Sequence, residues 1–164
     1  MMVSNGYKVD GNTKIYVAGH KGLIGSAFIR RLESDGYKNI ITAAREELEL
    51  TDSECVNDFF SNHKPEVVVL TAGKVGGIIN NRDYPADFIQ ENLSIQLNVF
   101  SAAQKYEVKK LIFFGSSCMY PQETTQPMKE NQLCTGHPEP TSVAYATAKY
   151  AGVQMCQAIN RQNG

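Results

Sequence analysis

No run of apolar residues in this chain approaches the roughly 18 that a membrane-crossing helix needs, so no membrane span is expected. Neither sign of charge is in excess: 16 Lys and Arg stand against 17 Asp and Glu, a net charge of -1, and they are scattered along the chain. That removes the basic footprint of a nucleic-acid or membrane-surface partner. Cysteines are few (Cys55, Cys118, Cys134 and Cys156), no two form a C-x-x-C pair, and His20, His63 and His137 do not group with them. Neither a zinc site nor a disulfide framework is expected, and reduced thiols in a cytoplasmic protein fit this usage best. Residues 1–13 lack an apolar h-region and read as a flexible polar leader, not a signal peptide. There is no internal repeat and no low-complexity segment.

What is present suits one domain, assigned to residues 14–164. The chain has 164 residues, 42% of them hydrophobic, enough to bury a core. Short β-rich runs at 14–18, 39–43, 66–70 and 110–114 alternate with helical patterns at 23–36, 51–63, 86–106 and 142–162. Residues 48–50 read as a very short further strand. Thr51, with Glu54 three residues on, reads as the N-cap of the second helix. The Gly- and Asn-rich stretch 71–85 reads as a loop, and so does the polar, Pro-bearing stretch 121–140, of a length that usually carries function. Alternating strands and helices predict an α/β fold of Rossmann type: a doubly wound parallel sheet with helices on both faces.

Gly19, Gly22 and Gly25 follow the first strand and open the first helix, with Lys21, Leu23 and Ile24 between them. Gly19 permits a tight turn, Gly22 lets a diphosphate approach the backbone, and Gly25 lets the helix pack on the sheet. The helix N-terminus then offers N–H groups and partial positive charge to the diphosphate. A glycine-bearing turn without a ligand is the alternative for the motif taken alone. At the end of the second strand, where NAD enzymes usually carry an acid for the ribose 2′-OH, this chain has Arg45. Arg45 can clamp a 2′-phosphate, with Lys21 adding charge, which favours NADP; a solvated arginine at a strand end is the plainer reading. Asp52 can accept a hydrogen bond from the adenine amine, or simply sit in the first turn of a helix where the dipole favours an acid.

Tyr145 and Lys149 are four residues apart on a predicted helix and share a face. An ammonium near a phenol favours the phenolate and lowers the Tyr145 pKa, making it an acid or base near neutral pH. Ser116, at the end of the fourth strand, can hydrogen-bond a substrate carbonyl, and Lys149 can reach a nicotinamide ribose. Cys118 lies two residues beyond Ser116. Alone, Y-x-x-x-K is any amphipathic helix surface; the strand with its serines upstream gives it chemical meaning.

The stretches 17–26 (VAGHKGLIGS), 74–78 (KVGGI), 84–88 (YPADF), 114–121 (FGSSCMYP), 145–149 (YATAK) with Ala151-Gly152, and 160–162 (NRQ) resemble the extended short-chain dehydrogenase/reductase superfamily. More narrowly, they are similar to the GDP-L-fucose synthase family of NADPH-dependent epimerase-reductases. The resemblance implies that Ser116, Tyr145 and Lys149 form the reductase triad and that Cys118 is the base for epimerisation. It implies GDP-4-keto-6-deoxy-D-mannose as substrate, NADP(H) as cofactor, and a homodimer through the helices at 86–106 and from 142 onward. That family continues for about as many residues again, with a smaller sugar-nucleotide domain and a histidine acid for epimerisation. The chain is therefore expected to be an N-terminal half, inactive alone, with the strand at 110–114 on an open edge. Another nucleotide-sugar epimerase or dehydratase, or a non-catalytic nucleotide-binding module, are the alternatives. The 4,6-dehydratases resemble one another in an Asp-Glu pair where this chain has Ser117-Cys118.

Overall fold

Two short strands form the centre of the protein: β1 (Ile15–Ala18) and β3 (Val67–Leu70), with every residue buried. Successive side chains on a strand point to opposite faces. Tyr16, Ala18, Val68 and Leu70 therefore enter one apolar cluster, and Ile15, Val17, Val67 and Val69 enter a second. Burial on both faces is why these strands read as continuous apolar runs. β2 (Ile40–Ile41) and β4 (Lys110–Phe113) flank them, giving a parallel sheet of order β2-β1-β3-β4. The structure, a computed structural model, describes residues 7–163.

The first cluster is covered by α2 (Ser53–His63) and α4 (Pro85–Lys105), with α5 (Val143–Asn163) packed along α4. Val56, Phe60, Val99 and Phe100 supply its centre, each almost fully buried. The second cluster is covered by Phe28, Ile29 and Leu32 of α1 (Leu23–Ser34). This is the doubly wound Rossmann-type sheet. Its order reverses direction between β1 and β3, and the crevice beyond the carboxyl ends of those strands is where such sheets bind ligands. Among the described residues no helix is long and apolar enough to cross a membrane.

Four local expectations are corrected. Residues 48–50 form no strand; they follow a turn at 45–47, and the Leu48 and Leu50 side chains fill the first cluster. The cap of α2 is Asp52, not Thr51: Asp52 Oδ1 accepts the N–H groups of Glu54 (2.8 Å) and Cys55 (3.1 Å), while Thr51 is held by Glu49. The stretch 71–85 contains a short helix, α3 (Ile78–Asp83), whose buried Asn81 donates back to the carbonyls of Gly76 and Gly77. That local bonding turns an Asn-rich, loop-like segment helical.

The fourth correction concerns the leader. Tyr7 and Val9 pack on the second cluster, and the Tyr7 hydroxyl donates to Glu66 Oε1 at 2.9 Å. Thr13 is buried, closing a turn in which Asp10 Oδ1 accepts the N–H groups of Asn12 and Thr13. Residues 7–13 are thus part of the folded unit; residues 1–6, also assigned to the leader, lie outside the described residues.

Candidate active site

β1 delivers the chain to Gly19, which turns with φ of 85°. A Cβ on Gly19 would sit 2.6 Å from the Ala72 nitrogen, and one on Gly25 would sit 2.2 Å from the Gly19 carbonyl oxygen. Two of the three motif glycines are therefore fixed by main chain pressed against main chain. Gly22 is the N-cap of α1 and offers no side chain to the helix. Its own N–H donates to the Gly19 carbonyl at 3.0 Å, and Ser26 N–H returns to the Gly22 carbonyl at 2.9 Å. The intervening N–H groups of Leu23, Ile24 and Gly25 have no backbone acceptor among the described residues. They form a cradle of donors at the positive end of α1, fitted to a diphosphate. From the β3 side, the Thr71 hydroxyl donates to the Ala18 carbonyl at 2.7 Å and ties the two strand ends together.

A cavity of about 490 Å³ opens at this crevice. It is bordered by residues 19–25, by 43–46 and 48–50 beyond β2, by 71–73 beyond β3, and by Val75, Glu91 and Ile95. Gly19, Lys21, Gly22, Leu23, Ile24, Gly25 and Arg45 all lie on its wall, where their positions in the sequence pattern put them. Arg45, however, is engaged by two carboxylates: its Nε meets Glu49 Oε2 at 2.8 Å and an Nη meets Glu91 Oε1 at 3.1 Å. Asp52 lies outside the cavity wall, and its Oδ1 caps α2.

The second part of the site lies at the end of β4. Ser116 has an extended backbone, and its Oγ accepts the Cys118 N–H at 3.2 Å, capping a 3-10 turn at Ser117–Met119. The Cys118 thiol is half-buried. α5 begins nearby because Glu139 caps the turn Pro140–Ser142, taking the N–H groups of Thr141 and Ser142. That start sets Tyr145 and Lys149 one turn apart on α5, with the Tyr145 ring edge-on to Phe88 at 6.5 Å. Burial raises the Tyr145 pKa; the Ser116 hydroxyl opposes that and the charge of Cys118 adds to it. Ser116, Cys118 and Tyr145 are thus within electrostatic reach of one another.

Lys149 is only 4% exposed. Its Nζ donates to the Phe114 carbonyl at 3.1 Å and lies 4.8 Å from the Phe113 ring centroid and 5.9 Å from that of Tyr145. Burial pulls its pKa down to about 8. The expected lowering of the Tyr145 pKa by Lys149 is not found: the ammonium sits on a carbonyl and over ring faces, and desolvation of the phenol dominates. The Lys149 Nζ comes 3.8 Å from where a Gly73 Cβ would stand. Gly73 lines the cavity, so the two parts of the site adjoin there.

Two participants give little sign of themselves in the sequence, and both are on α4. Asn92 is 1% exposed; its Oδ1 accepts Lys74 N–H at 3.1 Å and its Nδ2 donates to the Lys74 and Phe88 carbonyls at 2.9 and 2.7 Å. It pins the loop after β3 in the way a neighbouring strand would. Glu91 reaches Arg45, and also Lys74 Nζ at 3.3 Å. The signal available for Asn92 was an amide at a core-facing position between Phe88 and Ile95.

GDP-L-fucose synthase 1 of Arabidopsis thaliana is 50% identical over 155 residues, which is 94% of this chain and 48% of that protein. GDP-L-fucose synthase of Escherichia coli (strain K12) is 47% identical over 151 residues, 92% of this chain and 47% of that protein. Among solved structures, a GDP-mannoheptose C4 reductase from Campylobacter jejuni with NADP bound superposes with a TM-score of 0.92 at 43% identity, over 96% of this chain and 50% of that one. The chain spans about half the length of the curated relatives it matches. The model of the NAD dependent epimerase/dehydratase family matches residues 15–164, and the chain belongs to that family.

Proposed function

We propose that this chain supplies the NADP(H)-binding and proton-handling part of an epimerase-reductase that converts GDP-4-keto-6-deoxy-D-mannose to GDP-L-fucose. The observation that carries the reading is the adjacency of two unlike features. A cradle of unpaired N–H groups at α1 lies beside a cluster of Ser116, Cys118, Tyr145 and Lys149. The donor set fits a dinucleotide diphosphate, and Arg45 and Lys21 lie where a ribose 2′-phosphate would meet positive charge.

When bound, NADPH supplies the hydride that reduces the 4-keto carbon. The chain's own groups manage protons. Carbons beside a ketone lose a proton readily because the enolate places its charge on oxygen. Cys118 is the base that takes that proton, and the Ser116 and Tyr145 hydroxyls hydrogen-bond the resulting oxyanion. An acid on the opposite face, which the family resemblance assigns to the other half of the protein, returns a proton to the carbon and inverts it. In the reductive step Tyr145 gives its proton to the carbonyl oxygen as general acid. Lys149, held by the Phe114 carbonyl, keeps positive charge near that phenol and toward the nicotinamide ribose.

The relatives named GDP-L-fucose synthase, at 47–50% identity, support the sugar assignment. The 43% identity to a GDP-mannoheptose C4 reductase supports a second reading, reduction at C4 without epimerisation. We place the protein in the cytoplasm on its reduced cysteines, and pair it as a homodimer through α4 and α5, where Leu97 and Val143 are exposed. Light scattering that returns only a monomer at high concentration removes the dimer.

The test is made in a polypeptide of the relatives' full length carrying this chain. NADPH oxidation with GDP-4-keto-6-deoxy-D-mannose is followed together with solvent deuterium entry beside the ketone. Cys118→Ser is expected to stop deuterium entry and spare reduction of a pre-epimerised keto sugar, and Tyr145→Phe to slow reduction by about 100-fold or more. Deuterium entry at an unchanged rate in Cys118→Ser sinks the thiol base and leaves the simple reductase.

A further inference from the structure

Arg45 carries the reading of a 2′-phosphorylated cofactor, and its guanidinium is already shared. Nε bonds Glu49 Oε2 at 2.8 Å. Glu49 is itself anchored to its own loop, its Oε1 taking the N–H and hydroxyl of Thr51 at 3.0 and 2.9 Å. A phosphate gripped by two parallel N–H bonds must then use the Nη edge of the fork. Glu91, from α4 across the cavity, holds half of that edge through Oε1 at 3.1 Å. Its other oxygen meets Lys74 Nζ at 3.3 Å, so the carboxylate is shared between two cations that compete for its charge. Glu91 is 19% exposed on its side chain against 65% for Arg45, so its charge is the less screened by water and salt. Both Arg45 and Glu91 line the cavity.

We infer that Glu91 is a specificity-determining residue: its carboxylate competes with a ribose 2′-phosphate for the Nη edge of Arg45 and so narrows the preference for NADP over NAD. The inference rests on the reading of Arg45 as the phosphate-binding side chain. A dianionic 2′-phosphate must displace Glu91 or accept a like charge beside it, and both oppose binding. An unphosphorylated ribose meets no such opposition, since its 2′-OH can donate to a carboxylate. Lys74 works on the same balance from the other side, because its ammonium draws Glu91 away from Arg45.

Affinities of NADP⁺ and NAD⁺ are measured by titration calorimetry on the chain, at low and high salt, for the unmodified sequence, Glu91→Gln, Lys74→Met, Arg45→Ala and the double variant Glu91→Gln/Arg45→Ala. Glu91→Gln is expected to tighten NADP⁺ about tenfold and leave NAD⁺ within about twofold, with the gain shrinking at high salt. Lys74→Met is expected to move the ratio the other way. In the Arg45→Ala background, Glu91→Gln is expected to gain nothing, which assigns the effect to the pair. An unchanged or lower NADP⁺/NAD⁺ ratio in Glu91→Gln, with Arg45→Ala still losing NADP⁺ selectively, overturns the inference and leaves the cofactor reading standing. An Arg45→Ala ratio equal to that of the unmodified chain removes the cofactor reading and the inference together.

Discussion

At the glycine loop, position is set by backbone against backbone; at the end of β4, it is set by side chains, from the half-buried Ser116, Cys118 and Tyr145 to the buried Lys149. Gly19 and Gly25 have no room for a methyl group, and the strands behind them, β1 and β3, are buried on both faces. β4 is an edge of the sheet, with all four residues half-buried, and it leads into a 3-10 turn capped by one serine. The first part presents groups that every residue owns, so its character depends on shape. The second part presents groups particular to Ser116, Cys118, Tyr145 and Lys149, so its character depends on burial and charge.

The sharpest way to break that contrast is to add one methyl to the backbone-built part. Gly25→Ala places a Cβ against the Gly19 carbonyl, which cannot yield without moving the turn. It is expected to cost about 3 kcal/mol or more in urea unfolding and to abolish dinucleotide binding. A variant of unchanged stability shows that the loop gives, and the contrast fails.

The side-chain-built part should respond to pH where the loop does not. Burial lowers the Lys149 pKa from 10.5 to about 8. Below pH 8 both folded and unfolded chains carry the proton, and the full burial cost is present. Between pH 8 and about 10 the unfolded chain keeps a proton that the folded one releases, so stability rises with pH. The gain is about 3 kcal/mol if fully developed. Lys149→Met should capture much of that gain at pH 7 and flatten the profile, as read by urea melts at pH 7, 8, 9 and 10. A slope that persists in Lys149→Met assigns it to another group.

A smaller effect sharpens the border of the cavity. Asp52→Ala is expected to lower the urea midpoint through loss of the α2 cap, with NADP⁺ affinity unchanged. A selective loss of affinity at unchanged stability returns Asp52 to the binding site. The smallest effect is spectroscopic. Burial holds the Tyr145 phenol above its ordinary 10.0, so the ultraviolet difference between the unmodified chain and Tyr145→Phe should show a midpoint above that value. A midpoint below 10 restores the lowering by Lys149 that the spacing had suggested.

The same contrast explains what the sequence could disclose. Gly19 and Gly25 are legible because only glycine fits where backbones meet, Gly22 by its spacing between them, and the strand and helix around them are plain from their apolar patterns. The spacing of Tyr145 and Lys149 put both on α5, but not where the ammonium would point; that depends on the Phe114 carbonyl, which reaches Lys149 only in three dimensions. The sequence shows of Asp52 and Arg45 only what a carboxylate and a guanidinium can do. Their bonds to the α2 N–H groups and to Glu49 and Glu91 are outcomes of folding. α3 was missed because Gly and Asn signal turns, and Asn81 uses that same bonding capacity to stabilise a helical turn. Residues 7–13 were missed because two apolar side chains, Tyr7 and Val9, are diluted among polar ones.

That last segment has a practical consequence. Tyr7 and Val9 cover part of the sheet face opposite α2, and the Tyr7 hydroxyl locks onto Glu66 at the start of β3. Anyone trimming a gene to the first strand would leave the mouth of the site untouched and strip the shingle from the far end of the sheet. Loss of solubility in such a trimmed product would be an injury to the floor of the domain, not a sign that its ligand is missing. Expression boundaries for this chain are therefore best set upstream of Tyr7, and a fused tag is best joined through a spacer.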